Sequence, residues 1–422
     1  MSVQPFFRYA RGRGLAIFLG LIVPGCGNFA LFDSGGSRPT LNLSTLGVGD
    51  DSTHFESGLN EAFENAEFVP AGASGRVIRG EIEDANDVDV YDLGPVATGD
   101  RVVVDMTAVN SLDGALALFD ETGASLLVND HRNVYLGASA PFIDVVIQHD
   151  SAACFVAVSA TPGYAGTGEY GLIASKSGPT PLPPKRPDTV LLMFDGGRGV
   201  RIGSRSPVDV PRFDAVSLSD SFDGSTDDMV AEIVVRVRDH FEGYDVTILS
   251  TGEGADYDAG FTRIYFGTYD EALLGVAEGV DEFNLTYGQV AIVFTDTFRA
   301  FNRLSPSLEQ MAQALANVAS HEIGHLMGLV HTRDAEGIMD VTASLKRLML
   351  NQDFMRSPIY EGVFPLGEQD DVRYLGDAVG GDRELVAEKA LIRQLRIPTL
   401  LEDDDGIPAR EELRLSTCGL EH

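Results

Sequence analysis

"HEIGHLMGLVH" spans residues 321 to 331, with histidines at 321, 325 and 331, a glutamate at 322 and a glycine at 328. In a helix four residues advance about 400°, so positions i and i+4 share a face. His321 and His325 therefore aim their imidazoles at one point, with Glu322 projecting beside it. Were the helix to continue, His331 would sit roughly 9 Å further along the axis than His325. A Zn–N bond is only about 2 Å long, so a shared ion requires the helix to stop and the chain to turn back. Gly328 stands where that turn is needed, and glycine enters the left-handed region at little cost. Three neutral imidazoles form an open site with a fourth position for water; zinc lowers the pKa of that water and polarises a carbonyl. Glu322 is placed to take the proton as general base and pass it to a leaving amine.

The pattern H-E-x-x-H-x-x-G-x-x-H resembles the metzincin clan of zinc peptidases. The clan adds a methionine turn beneath the metal, and Met339 in "GIMD" (337 to 340) fits it. Its short distance from His331 resembles the spacing of matrixins, whereas Asp340 and Thr332 depart from the tyrosine and serine common at those places. The resemblance implies an α/β catalytic domain over 189–400, with a twisted sheet, an active-site helix, the methionine turn and a small lower subdomain. It further implies one catalytic Zn2+ on His321, His325 and His331, Glu322 as base, and Met339 as an apolar floor rather than a ligand. "QVAIVFTD" (289 to 296) would be the edge strand that pairs with a substrate backbone.

Periodicity agrees with such a domain. "SLEQMAQALANVASHEIGHLMG" (307 to 328) reads as a long helix, opened by a capping box between Ser307 and Gln310 and stopped at Gly328. "DDMVAEIVVRVRDHF" (227 to 241) has helical spacing, "TVLLMFD" (189 to 195) is a strand, and a last helix is expected near Arg383–Leu395, ahead of an acidic tail, 401–422. The proline-rich "KSGPTPLPPKRPD" (176 to 188) marks a stiff linker. Upstream, 67–175 carries short alternating runs separated by turn signals, the pattern of an antiparallel β-sandwich. This stretch resembles the bacterial pre-peptidase C-terminal domain in Asp87-Val88-Asp89-Val90-Tyr91, in "LDGALALFDETGASLLVND" (112 to 130) and in "GTGEYGL" (166 to 172), although here it precedes the peptidase-like part. Asp87, Asp89, Asp113 and Asp130 are candidates for Ca2+, or solvated turn carboxylates.

The 422 residues carry a formal net charge of -33, which repels nucleic acid and anionic head groups. At the start of the chain, Arg8, Arg11 and Arg13 precede an apolar run, Leu15–Val23, then Pro24-Gly25-Cys26. Residues 1–25 read as an export signal. "VPGC" resembles a lipobox, which would acylate Cys26 and make that lipid the only link to a membrane. "PGCGN" also faintly resembles a cysteine switch. Residues 26–66 read as a flexible tether. In an exported protein Cys154 and Cys418 could pair, and Cys154 in "CFVAVSA" fits a free core thiol equally well. His54, His131, His149, His240 and His422 lack such company and read as surface or satisfied core. The leading expectation is an exported zinc endopeptidase acting on protein or peptide, lipid-anchored at the cell envelope or surface, or alternatively secreted. The alternatives are a surface binding or adhesion lipoprotein with a silent metal site, and a zinc amidase acting on cell-wall peptide. Glu322 argues against the silent site, since a structural metal needs no base.

Overall fold

The computed structural model describes residues 53–108, 112–130, 140–163, 166–258, 260–342, 344–382, 384–386 and 416–418, all within the compact unit Asp50–His422. The stretch read as an export signal, Cys26, His131, His422, most of the acidic tail and most of the last expected helix lie outside them; at 384–386 the backbone is helical. No helix among the described residues is long and apolar enough to cross a membrane.

The first ten strands are β1 (Thr53–Phe55), β2 (Glu67–Phe68), β3 (Arg76–Ile82), β4 (Val88–Asp92), β5 (Arg101–Ala108), β6 (Gly114–Asp120), β7 (Ser125–Asn129), β8 (Phe142–Val146), β9 (Cys154–Ala160) and β10 (Gly168–Ser177). They build two five-stranded sheets, ordered β1-β3-β10-β5-β8 and β2-β4-β9-β6-β7. The pairings are antiparallel except at one edge of each sheet, where β1 runs parallel to β3 and β2 parallel to β4. Thr53–Phe55, in the segment read as tether, thus forms a strand. One face of each sheet meets a common core. Val102, Val104 and Met106 of β5 alternate into it and face Leu116 and Leu118 of β6 and Val156 and Val158 of β9.

β6 is buried along its whole length, which alternation alone does not explain. Its second face, with Ala115, Ala117 and Phe119, packs against Ile359 and Phe364, far along the chain. The Phe119 ring lies 5.1 Å from Phe63 and 6.0 Å from Phe364. Around this contact Arg373 bonds Asp120, Arg356 donates to the Thr122 carbonyl at 2.7 Å, and His149 meets Asp377 at 2.7 Å.

The second part contains β11 (Asp188–Met193), β12 (Gly197–Val200), β13 (Val208–Val210), α1 (Thr226–His240), β14 (Val246–Ser250), β15 (Thr262–Phe266), β16 (Leu273–Ala277), β17 (Val290–Val293), α2 (Leu308–Leu326), α3 (Leu345–Leu348), β18 (Arg356–Pro358), β19 (Glu368–Asp370), α4 (Asp371–Ala378) and β20 (Ser416–Cys418). Its main sheet is ordered β14-β11-β15-β17-β16-β20. The first four strands are mutually parallel, and β16 is antiparallel to β17. "QVAIVFTD" is therefore not an edge strand: β17 lies between β15 and β16, and its all-apolar "VAIV" suits that interior place. Helices α1 and α2 share one core with the sheet, and α2 is buried on nearly every side.

For two features the sequence left alternatives open. Cys154 is a free thiol, fully buried in β9, and burial pushes its pKa up to about 12; it makes no disulfide with Cys418, whose backbone pairs with β16 in a different sheet. Nor do Asp87, Asp89, Asp113 and Asp130 gather a calcium site: among the described residues only the three histidines bring that many metal-binding side chains together. Asp89 instead points into the core, where the Tyr170 hydroxyl donates to it at 2.6 Å.

Phe119→Ala opens a cavity where β6 meets the 359–364 segment, a class of change that costs about 3–5 kcal/mol. We expect one calorimetric transition in the wild type and two in the variant, with the lower one shifted down; an unchanged single transition would contradict the packing described. Burial, reinforced by the nearby carboxylates Glu56 and Asp87, pushes Asp89 up to about 8 from 3.8. The folded state thus holds a proton that the unfolded chain has lost, so this group's stabilisation is complete below 3.8 and is lost as pH rises through about 8. Urea midpoints of Asp89→Asn should fall less than those of the wild type across that window; parallel curves would refute the shift.

Candidate metal centre

Helix α2 carries the first two histidines, and its C-terminal turn delivers the third. The capping box is made: the Gln310 N–H donates to Ser307 Oγ at 3.3 Å, and the Ser307 N–H to Gln310 Oε1 at 2.9 Å. At the other end Gly328 has φ +99°. Its N–H donates to the His325 carbonyl at 2.9 Å, and the Leu329 N–H donates to the Gly324 carbonyl at 2.9 Å. That pair of bonds is a Schellman turn, and it sends the chain back across the helix end. A Cβ on Gly328 would also meet the Tyr374 hydroxyl at 2.6 Å.

The turn brings the ring of His331 to 4.6 Å from that of His325 and 5.3 Å from that of His321. One ligand atom from each of the three lies within 4.8 Å of the others, and His321 Nε2 and His325 Nε2 are 3.1 Å apart. Tetrahedral zinc with Zn–N near 2 Å sets its ligand nitrogens about 3.3 Å apart, so the constellation fits the ion. Each helical ring is oriented by its other nitrogen: His321 Nδ1–H donates to the Ile338 carbonyl at 2.7 Å, and His325 Nδ1–H to the Leu329 carbonyl at 2.8 Å. These bonds hold Nδ1 protonated and leave Nε2 as the ligand atom. Burial pushes His321 down to about 4, which keeps the ring neutral, the form that binds metal. Glu322 is wholly buried beside the cluster, against Gly275 of β16.

Met339 is also wholly buried. A Cβ on Gly324 would come within 2.5 Å of its sulfur, so the thioether packs directly under the helical turn between His321 and His325. The Met339 carbonyl accepts from the Thr332 N–H at 2.9 Å, tying the methionine turn to the residue after His331. Asp340, in place of the usual tyrosine, is buried and caps its own turn, accepting from the Thr342 N–H and hydroxyl at 2.9 and 2.7 Å.

Three supporting residues escaped the sequence reading. Gln369 grips the backbone before His331 from both sides, accepting from the Val330 N–H at 2.8 Å and donating to the Val330 carbonyl at 2.9 Å. The Tyr360 N–H donates to the His331 carbonyl at 3.0 Å. Gly275 gives Glu322 its room; a glycine inside an apolar strand is the one available signal of such a close approach. Nothing in the sequence marks Gln369 or Tyr360.

Residues 253–356 match the family model of the matrixins. The matched stretch contains α2, all three histidines, Glu322 and Met339. Among solved structures, the chain is similar to the pre-peptidase C-terminal domain of the Bacillus anthracis collagenase, with 14% identity over 26% of this chain and 94% of that one and a TM-score of 0.21. It is similar to archaemetzincin from Methanopyrus kandleri, with 16% identity over 42% of this chain and 89% of that one and a TM-score of 0.23. A third likeness, to the Yersinia pseudotuberculosis-derived mitogen, has 14% identity over 24% and 84% and a TM-score of 0.19. Among curated proteins none matches the chain.

Gly324→Ala separates helix propensity from packing. Alanine favours an isolated helix by about 1 kcal/mol over glycine, whereas the added methyl must displace the Met339 sulfur. We expect unchanged far-UV helicity with faster zinc loss to a chelating dye; zinc retention equal to wild type would show that the methionine turn does not support the ligands.

Proposed function

We propose that the chain is a zinc-dependent endopeptidase. The reading rests on one observation: three imidazoles converge within ligand distance beside a buried glutamate, on a helix whose end is turned back for the purpose. The Nε2 atoms of His321 and His325 and the ring of His331 would hold the zinc, which supplies a Lewis acid that acidifies water and polarises a peptide carbonyl. The Glu322 carboxylate accepts the proton of the attacking water and returns it to the departing amine. The Ile338 and Leu329 carbonyls keep the two helical rings in register through this exchange. Gly275 leaves space for the carboxylate and brings the backbone of β16 alongside it, so an extended peptide added to β16 would pass in front of the base.

We further infer that 67–175 is a β-sandwich of the pre-peptidase C-terminal type, extended at its edges by β1 and β2, that 189–400 is a metzincin-like domain, and that the segment after Met339 is its lower subdomain. The signal-like start and Cys26 support export and lipid anchoring. In a casein or gelatin digestion the wild type should cut, a chelator should stop it, and added zinc should restore it. Glu322→Ala should lose about 10²–10⁴-fold in rate while keeping its zinc. Bound zinc without Glu322-dependent cleavage of any protein would sink the endopeptidase reading.

A further inference from the structure

β16 is the strand nearest the base. A Cβ on Gly275 would collide with Glu322 Oε1 and lie 2.9 Å from Val318 Cγ1, so this residue is pressed against the face of α2 that bears the glutamate. One edge of β16 pairs with β17, Gly275 opposite Val293 and Ala277 opposite Ala291. Its other edge is covered by the chain itself: β20 runs parallel to β16, with Ser416 opposite Leu273 and Cys418 opposite Gly275. A strand edge offers a row of backbone donors and acceptors that one extended segment can satisfy at a time. The register places Cys418 at Gly275, the position level with the base.

We propose that Ser416–Cys418 occupies the peptide-binding edge of β16 and holds the cleft closed until this segment is released. The proposal rests on the peptidase reading for the identity of the cleft. A three-residue strand binds weakly as a separate peptide, but attachment to the same chain gives it an effective concentration of about millimolar, enough to compete with dilute substrate. The covered edge thereby joins the closing of the sheet to the exclusion of substrate.

The test compares the full chain with two variants, one ending at residue 412 and one carrying Ser416→Pro with Thr417→Pro. Adjacent prolines remove the amide donors on both sides of the strand, so whichever faces β16 is lost. Three readouts are taken: hydrogen exchange of the 273–277 amides, affinity for a peptidyl hydroxamate, and cleavage of a quenched peptide. Hydroxamate binding needs the cleft and the metal but no turnover. We expect faster exchange in both variants, hydroxamate binding tightened by about ten-fold, as for a cleft open one-tenth of the time, and a matching rise in cleavage. A synthetic 413–422 peptide, added at about millimolar concentration or above, should reverse the gain in the shortened chain. Faster exchange with unchanged hydroxamate affinity would mean that β20 only caps an exposed edge, and unchanged exchange would mean that it does not hold β16; either overturns the proposal. Tightened hydroxamate binding with no cleavage by any form would leave it standing and count against the peptidase reading instead.

Discussion

Everything around the centre follows from a mismatch of lengths. A metal–nitrogen bond reaches about 2 Å, while six more residues of helix would carry His331 some 9 Å away from His325. Reversal at Gly328 removes the mismatch, and ending α2 there exposes the last carbonyls of a buried helix, which must find donors. They do: the Gly324 carbonyl accepts from Met327 and Leu329, and the His325 carbonyl from Gly328 and from Asp281, in the loop after β16. The turn that brings in the third ligand is also the cap of the helix and its tie to the antiparallel strand beside the base.

The same demand for partners explains how one helix organises its domain. α2 is buried on nearly all sides, yet it carries Gln313, Asn317, Ser320, His321, Glu322 and His325. Buried polar groups cost free energy unless bonded, so most of these fasten another segment. Asn317 bonds Gln313 and donates to the Leu348 and Leu350 carbonyls at the end of α3. Ser320 meets His240 of α1 at 2.8 Å, His321 holds the methionine turn, and His325 holds the residue after its own cap. The alanines between them are buried in the same core.

What was legible in the sequence is what local spacing dictates. The i, i+4 histidines, the glycine stop, the Ser307–Gln310 box and the Met339 turn involve groups close together in the chain, and each stands where its spacing put it. Order within a sheet is a long-range choice. The apolar run of β17 announced a buried strand but not which neighbour would lie outside it, and the edge assignment failed for that reason. The carboxylates of "DVDVYD" read as calcium candidates or solvated turn groups, yet strand alternation turns Asp89 inward to a tyrosine hydroxyl. Gln369 acts through two backbone groups 39 residues away, a contact that no local pattern encodes.

The segment from Arg356 to Asp370 has two working sides, and they bind the halves of the described unit to each other. On one side it donates from Tyr360 to the His331 carbonyl and clamps Val330 through Gln369. On the other, Ile359 and Phe364 press on Phe119 of β6, and Gly367 lies so near that ring that no side chain fits between them. The same short segment thus touches both the outer face of β6 and the backbone of the third histidine. That is a physical reason for the apolar outer face of β6: a freely tethered module would need polar residues where Ala115, Ala117 and Phe119 stand.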